Sequence, residues 1–133
     1  MTQSSPPRVG LSKIFKSNVY PAGEQVEYDP SRTTSAEARE RERLAQGDPL
    51  ENYQNIRRAA EVHRQVRAYA RRNIKPGMTM TEIAEMIEDG TRALVEEAGM
   101  DSGIGFPTGL SVNEVAAHYT PNAGDTKGES FFE

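Results

Sequence analysis

Apolar and polar positions divide the chain into an irregular start, a helical middle and a glycine-rich end. From Ser35 to Ile74 apolar residues recur with helical spacing, broken once at Gly47-Asp48-Pro49. The first piece, AEARERERLAQ, carries charge on nearly every face, and Glu37 and Arg41 can pair one turn apart. That pattern predicts a solvated helix. In the second piece Asp48 is the expected N-cap and Pro49 the first helical residue, where a missing N–H costs nothing. Tyr53, Ile56, Ala60, His63, Ala70 and Ile74 form one stripe, with Ala59, Val62, Val66 and Tyr69 beside it. This predicts a core-facing helix, ended by Pro76-Gly77, with His63 as a partly buried structural histidine.

Thr79 then opens another helix, and Glu82 three residues later completes a capping box. Its apolar face is Ile83, Met86, Ile87, Gly90, Leu94 and Ala98, with Gly99 as the expected C-cap. The short Pro-Gly link predicts antiparallel neighbours. Their charges are opposite: seven Lys and Arg from Arg57 to Lys75 against six acidic residues from Glu82 to Glu97.

The flanks read differently. Over residues 1–34, Pro6, Pro7, Pro21, Gly23 and Pro30 interrupt every helix, while Leu11, Ile14, Phe15, Val19 and Tyr20 are scattered anchors. A disordered lead-in and a strap across a neighbouring surface are equally compatible with that pattern. After Gly99, Ile104-Gly105-Phe106 and Val112 to Tyr119 read as two short strands joined by a turn at Thr108-Gly109. Two core helices followed by a short antiparallel β unit make the expected fold class α+β. The segments are an irregular lead-in (1–34), a charged helix and linker (35–48), a folded unit (49–126) and a tail of different texture (127–133).

Composition narrows the function classes. The 133 residues suffice for one domain, but 35% hydrophobic content and a mean hydropathy of -0.72 predict that part of the chain lies outside a core. A net charge of -4 argues against direct nucleic-acid binding through bulk electrostatics. There is no cysteine, which excludes disulfides and thiolate metal sites. No apolar run approaches the roughly 20 residues of a membrane span, and the start has no secretory signal pattern. An intracellular soluble protein is expected.

Two histidines are present, His63 and His118. His118 sits in GFPTGLSVNEVAAHYTPNAGDT, where glycines and prolines bound short extended stretches. An imidazole there could donate to a substrate carbonyl or amide. Asn113 and Tyr119 are read as satisfying turns and strand edges. Asp125 lies in an Asn-Ala-Gly-Asp turn, whose chemistry explains it better than metal ligation does.

IKPGMTMTEIAEMIED, followed by GIGFPTGLSVNEVAAHYTPNAGDT, closely resembles the type 2 methionine aminopeptidases. RRAAEVHRQVR, YPAGEQVEY and RTTS are similar as well, so the likeness runs from about Leu11 to Thr126. It implies a partial pita-bread fold and a metal-dependent hydrolase that removes the initiator methionine from nascent proteins. It also implies two divalent metal ions (cobalt, manganese, zinc or iron), nascent polypeptide N-termini as substrates, and a cytoplasmic location with the ribosome or a translation initiation factor as associates. By resemblance His118 is the active-site histidine that contacts substrate without binding metal, and Phe106 is an aromatic wall of the methionine pocket. The family's metal ligands lie downstream of this histidine, whereas here the likeness ends at Lys127 and only Asp125, Glu129 and Glu133 remain. No metal ligand is therefore assigned. The expectation is a truncated, inactive portion of the enzyme; the alternative is a non-catalytic, translation-associated binding module.

Overall fold

The computed structural model describes residues 1–27, 29, 31 and 33–125. Four helices follow in order: α1 (Leu11–Ile14), α2 (Ser35–Ala45), α3 (Pro49–Asn73) and α4 (Met80–Val95). Their starts follow local side-chain chemistry. Asp48 accepts the Leu50 N–H at 2.9 Å with Pro49 in the first turn, and Thr79 and Glu82 form the expected reciprocal capping box. Thr34 and Glu37 form a second such box at the start of α2, which the Thr-x-x-Glu spacing already encodes.

One helix end follows expectation and one does not. Helix α3 stops at Asn73 with Ile74 as C-cap, just short of Pro76. Helix α4 stops at Val95, and its left-handed cap is Glu96 at φ 56°, not Gly99. Gly99 is also left-handed, at φ 54°, but it serves the next turn, where Ala98 and Ser102 form an isolated bridge.

Helices α3 and α4 run antiparallel: Arg58 reaches Val95 and Glu96, while Val66 packs at Gly90 further along the pair. The core joins this pair to the start of the chain. Leu11, Tyr20, Val62, Val66 and Leu94 are buried together, with Ile14, Phe15, Ile87, Ala93 and Val95 packed around them. The lead-in is thus a strap. Gln3 ties it to Gln65 at 2.9 Å, and Gln54 accepts the Tyr20 N–H at 3.0 Å.

At the centre of the strap contact, the Glu96 carboxylate accepts the Ser12 N–H at 3.0 Å and the Ser12 hydroxyl at 2.6 Å, capping α1 from outside. Arg58 donates to the Val95 carbonyl at 2.6 Å and approaches Glu96 at 3.4 Å. A side chain at position 10 would place its Cβ 2.5 Å from Glu96 Cδ, so any larger residue there would have to shift the Glu96 side chain. This is the cross-helix charge pair that the opposite charges of α3 and α4 predicted. Other charges pair within a helix, where Arg64 forks onto the buried Glu61 at 2.7 and 2.6 Å and Arg92 meets Glu88 at 3.1 Å, or with the strap, where Arg8 lies 3.6 Å from Asp89.

Two expectations are corrected. The apolar stripe of α3 is split, because α4 and the strap cover only the Val62, Val66 and Ala70 face. Tyr53 stays 56% and Ile56 60% exposed, and His63 lies in the open on the rim of a groove with Ile74 and Ile87. Second, no strand forms among the described residues. Where two strands were expected, a single backbone bond, Leu110 N–H to the Tyr119 carbonyl at 2.8 Å, joins the two stretches. Pro107 and the turn at Val112–Val115 leave too few donors in register for a ladder, and no third strand supports it. Pro30, the tail 127–133 and its acids Glu129 and Glu133 lie outside the described residues.

Two outcomes follow from the packing. A Cβ at Gly90 would sit 3.3 Å from Val66 Cγ2 and 3.6 Å from Pro7 Cγ, so Gly90→Val should destabilise the chain by about 1–3 kcal/mol in urea titrations. The Ser12 hydroxyl and amide, with Arg58 beside them, hold the Glu96 carboxyl below the ordinary glutamate range. The contribution of a lowered carboxylate is complete above the unfolded value of about 4.3 and is lost as pH falls through the lower folded value. Stability measured from about pH 6 to about pH 3 should therefore fall more steeply in the native chain than in Glu96→Gln; parallel curves would remove Glu96 from the acid response.

Candidate functional site

The segment after α4 is held by a few backbone contacts. The Ser102 hydroxyl donates to the Val95 carbonyl at 2.9 Å, which continues the end of α4 into a tight turn. The Thr108 N–H then donates to Glu88 Oε1 at 3.1 Å, bringing the Phe-Pro-Thr-Gly stretch back alongside α4. Leu110 is next to pair, with Tyr119, and the chain between them turns at Asn113 in the left-handed region, φ 55°. Asparagine tolerates that conformation, in keeping with its expected turn role.

This path brings Phe106 and His118 together. Their ring centroids lie 6.3 Å apart with the planes at 67°, an edge-to-face arrangement. Both side chains are open to solvent, Phe106 at 69%. His118 itself has φ 61°. A left-handed histidine is uncommon and strained, and such residues occur where the surroundings fix the backbone for another purpose. An exposed aromatic face beside an exposed imidazole can present an apolar wall and a hydrogen-bonding group to one ligand.

Beyond His118, the Tyr119 hydroxyl donates to Asp125 Oδ2 at 2.6 Å, which raises the Tyr119 pKa above its usual value. The Asp125 N–H closes a turn onto the Asn122 carbonyl at 2.9 Å. Among the described residues, no group of three or more His, Asp and Glu side chains could hold a metal ion. The described residues do not fit a two-metal centre.

Sequence spacing placed Phe106 and His118 in one segment, and the structure makes them neighbours. What it did not signal is Glu88. As one of four acids on α4 it carries no motif, and its link to Thr108 spans 20 positions.

Residues 54–132 match the model of "Metallopeptidase family M24". A methionine aminopeptidase 2 of Schizophyllum commune is 68% identical over 93% of this chain. One from Laccaria bicolor is 75% identical over 71% of it, and one from Schizosaccharomyces pombe 56% identical over 93%. The chain spans only 30%, 26% and 29% of these relatives, respectively. With more than half of its residues matched to the family model, the chain belongs to metallopeptidase family M24.

Proposed function

We propose that this chain forms the substrate-facing start of a methionine aminopeptidase unit, acting on the N-terminal methionine of nascent polypeptides. The observation that carries the reading is the edge-to-face pairing of Phe106 with His118, in a chain so similar to proteins named methionine aminopeptidase 2. Phe106 supplies an apolar, polarizable wall suited to a thioether side chain. His118 is the catalytic residue of this chain, hydrogen-bonding the peptide group next to the bound methionine. The divalent metals of the reaction, of the cobalt, manganese, zinc or iron kind, would be held by residues other than those described. The proposal includes the pita-bread architecture, a cytoplasmic setting, and the ribosome or a translation initiation factor as associates. No described helix is long and apolar enough to cross a membrane.

A Met-Ala-Ser peptide, assayed with cobalt or manganese, tests this. The 133-residue chain alone should release no methionine. A chimera carrying it in place of the matching segment of the Schizophyllum commune relative should release methionine. In that chimera His118→Ala should lower kcat by roughly 10²-fold with a smaller change in KM, because a hydrogen bond that strengthens as charge develops acts on the transition state. An inactive but folded chimera, or an unchanged kcat in the His118 variant, would overturn the reading.

A further inference from the structure

Phe106 and His118 are exposed, and their meeting depends on how the backbone that carries them is fixed to the helices. No strand ladder fixes it among the described residues. The connection runs instead through α4. Glu88 is the least exposed member of its charge cluster, at 21%, and its two oxygens face different partners. Oε1 accepts the Thr108 N–H at 3.1 Å, and Oε2 accepts Arg92 Nη2 at 3.1 Å from one turn along the helix. Arg92 also approaches Asp89 and Glu97 at 3.8 Å each.

An ion pair between side chains of one exposed helix contributes little on its own. A carboxylate that also receives a backbone N–H is different, since a charge-assisted bond to a main-chain donor fixes the chain and not merely a side chain. Thr108 stands two residues after Phe106 and two before Leu110, whose own N–H is bound by the carbonyl of Tyr119, the residue after His118. The sequence of contacts is therefore α4, Glu88, Thr108, Leu110, Tyr119, with Phe106 and His118 as flanking side chains. The same N–H is the main reason that the Glu88 carboxyl lies below its ordinary range.

We propose that Glu88 is a positioning residue for the Phe106–His118 site, anchoring the Phe106-to-Leu110 backbone to α4 through the Thr108 N–H. What the site binds rests on the methionine reading above; the anchor does not. Glu88→Gln separates the anchor from the ion pair, because its amide oxygen still accepts from Thr108 while its NH2 group cannot receive Arg92. Glu88→Ala removes both.

Hydrogen exchange at single-amide resolution, on the full 133-residue chain, tests the anchor. Glu88→Ala should speed exchange of the Thr108 and Leu110 amides by roughly 10-fold and abolish the Phe106–His118 ring contact in NOE spectra, with helix content by circular dichroism unchanged. Glu88→Gln and Arg92→Leu should retain both signals. Thr108→Pro deletes the donor without touching α4, and should reproduce the loss at Leu110 even where Glu88→Ala proves too unstable to study. Native-like Leu110 exchange and an intact ring contact in the Ala and Pro variants would overturn the proposal, as would equal loss in Arg92→Leu. Saturation transfer to a Met-Ala-Ser peptide separates the two readings: it should weaken in Glu88→Ala and recover in Glu88→Gln. Its absence in the native chain, with the exchange pattern as expected, would leave the anchor established and remove the methionine reading.

Discussion

The Glu96 carboxylate is where the chain's two halves become one structure. It stands at the end of α4 in a left-handed conformation, receives both donors of Ser12, and lies against Arg58 of α3. Without it the strap would keep its apolar contacts and its bonds to Gln65 and Gln54, but α1, with only four residues, would lose the carboxylate that caps it and is far too short to hold itself. Arg58 bonds the Val95 carbonyl, one of the groups a helix end leaves without an internal partner. Its Nε is buried without a partner, so the arrangement is not cost-free. The packing of Leu11 and Tyr20 against Val62, Val66 and Leu94 follows from this junction.

The same end of α4 also begins the segment that carries the site. Ser102 bonds the Val95 carbonyl that Arg58 also uses, and Glu88, two turns back, receives Thr108. One helix therefore positions the strap at its last turn and the Phe106–His118 segment along its flank.

Local chemistry was the legible part of the sequence. Asp48-Pro49 and Thr79-x-x-Glu82 mark helix starts through bonds that span three residues or fewer, so spacing alone reveals them. The antiparallel pairing follows from a short link. The face that α3 buries was not legible, because its 25 residues present apolar groups on two sides and only tertiary contacts decide between them. The strap took one flank, which left Tyr53, Ile56 and His63 outside. The β unit failed for a related reason: alternation predicts a strand, yet a strand needs partners along its length, and Leu110–Tyr119 is a single rung. Gly99 misled because glycine is the commonest left-handed cap, and here a glutamate accepts that conformation, with its carboxylate bonded to Ser12. His118 stood out from its glycine- and proline-bounded segment, whereas the roles expected of His118 and Phe106 came from resemblance to a family; the residue that ties their segment to the helices, Glu88, has no local signature at all.

The proposed reading separates recognition from bond cleavage. A methionine side chain is apolar and polarizable, and its peptide group is polar but uncharged, so a site for it needs an apolar wall beside a donor without obligatory charge. Phe106 beside His118 meets that description, where an arginine or lysine would favour a carboxylate instead. Cleavage by a metallopeptidase requires a separate cluster of ligands, and none forms among the described residues. Asp125 illustrates the division, since its Oδ2 accepts the Tyr119 hydroxyl and its N–H closes a turn. That aspartate shapes the backbone just beyond His118. On the proposed reading this chain's part is to hold and orient a peptide end, with the helices carrying the segment in which one aromatic ring and one imidazole meet.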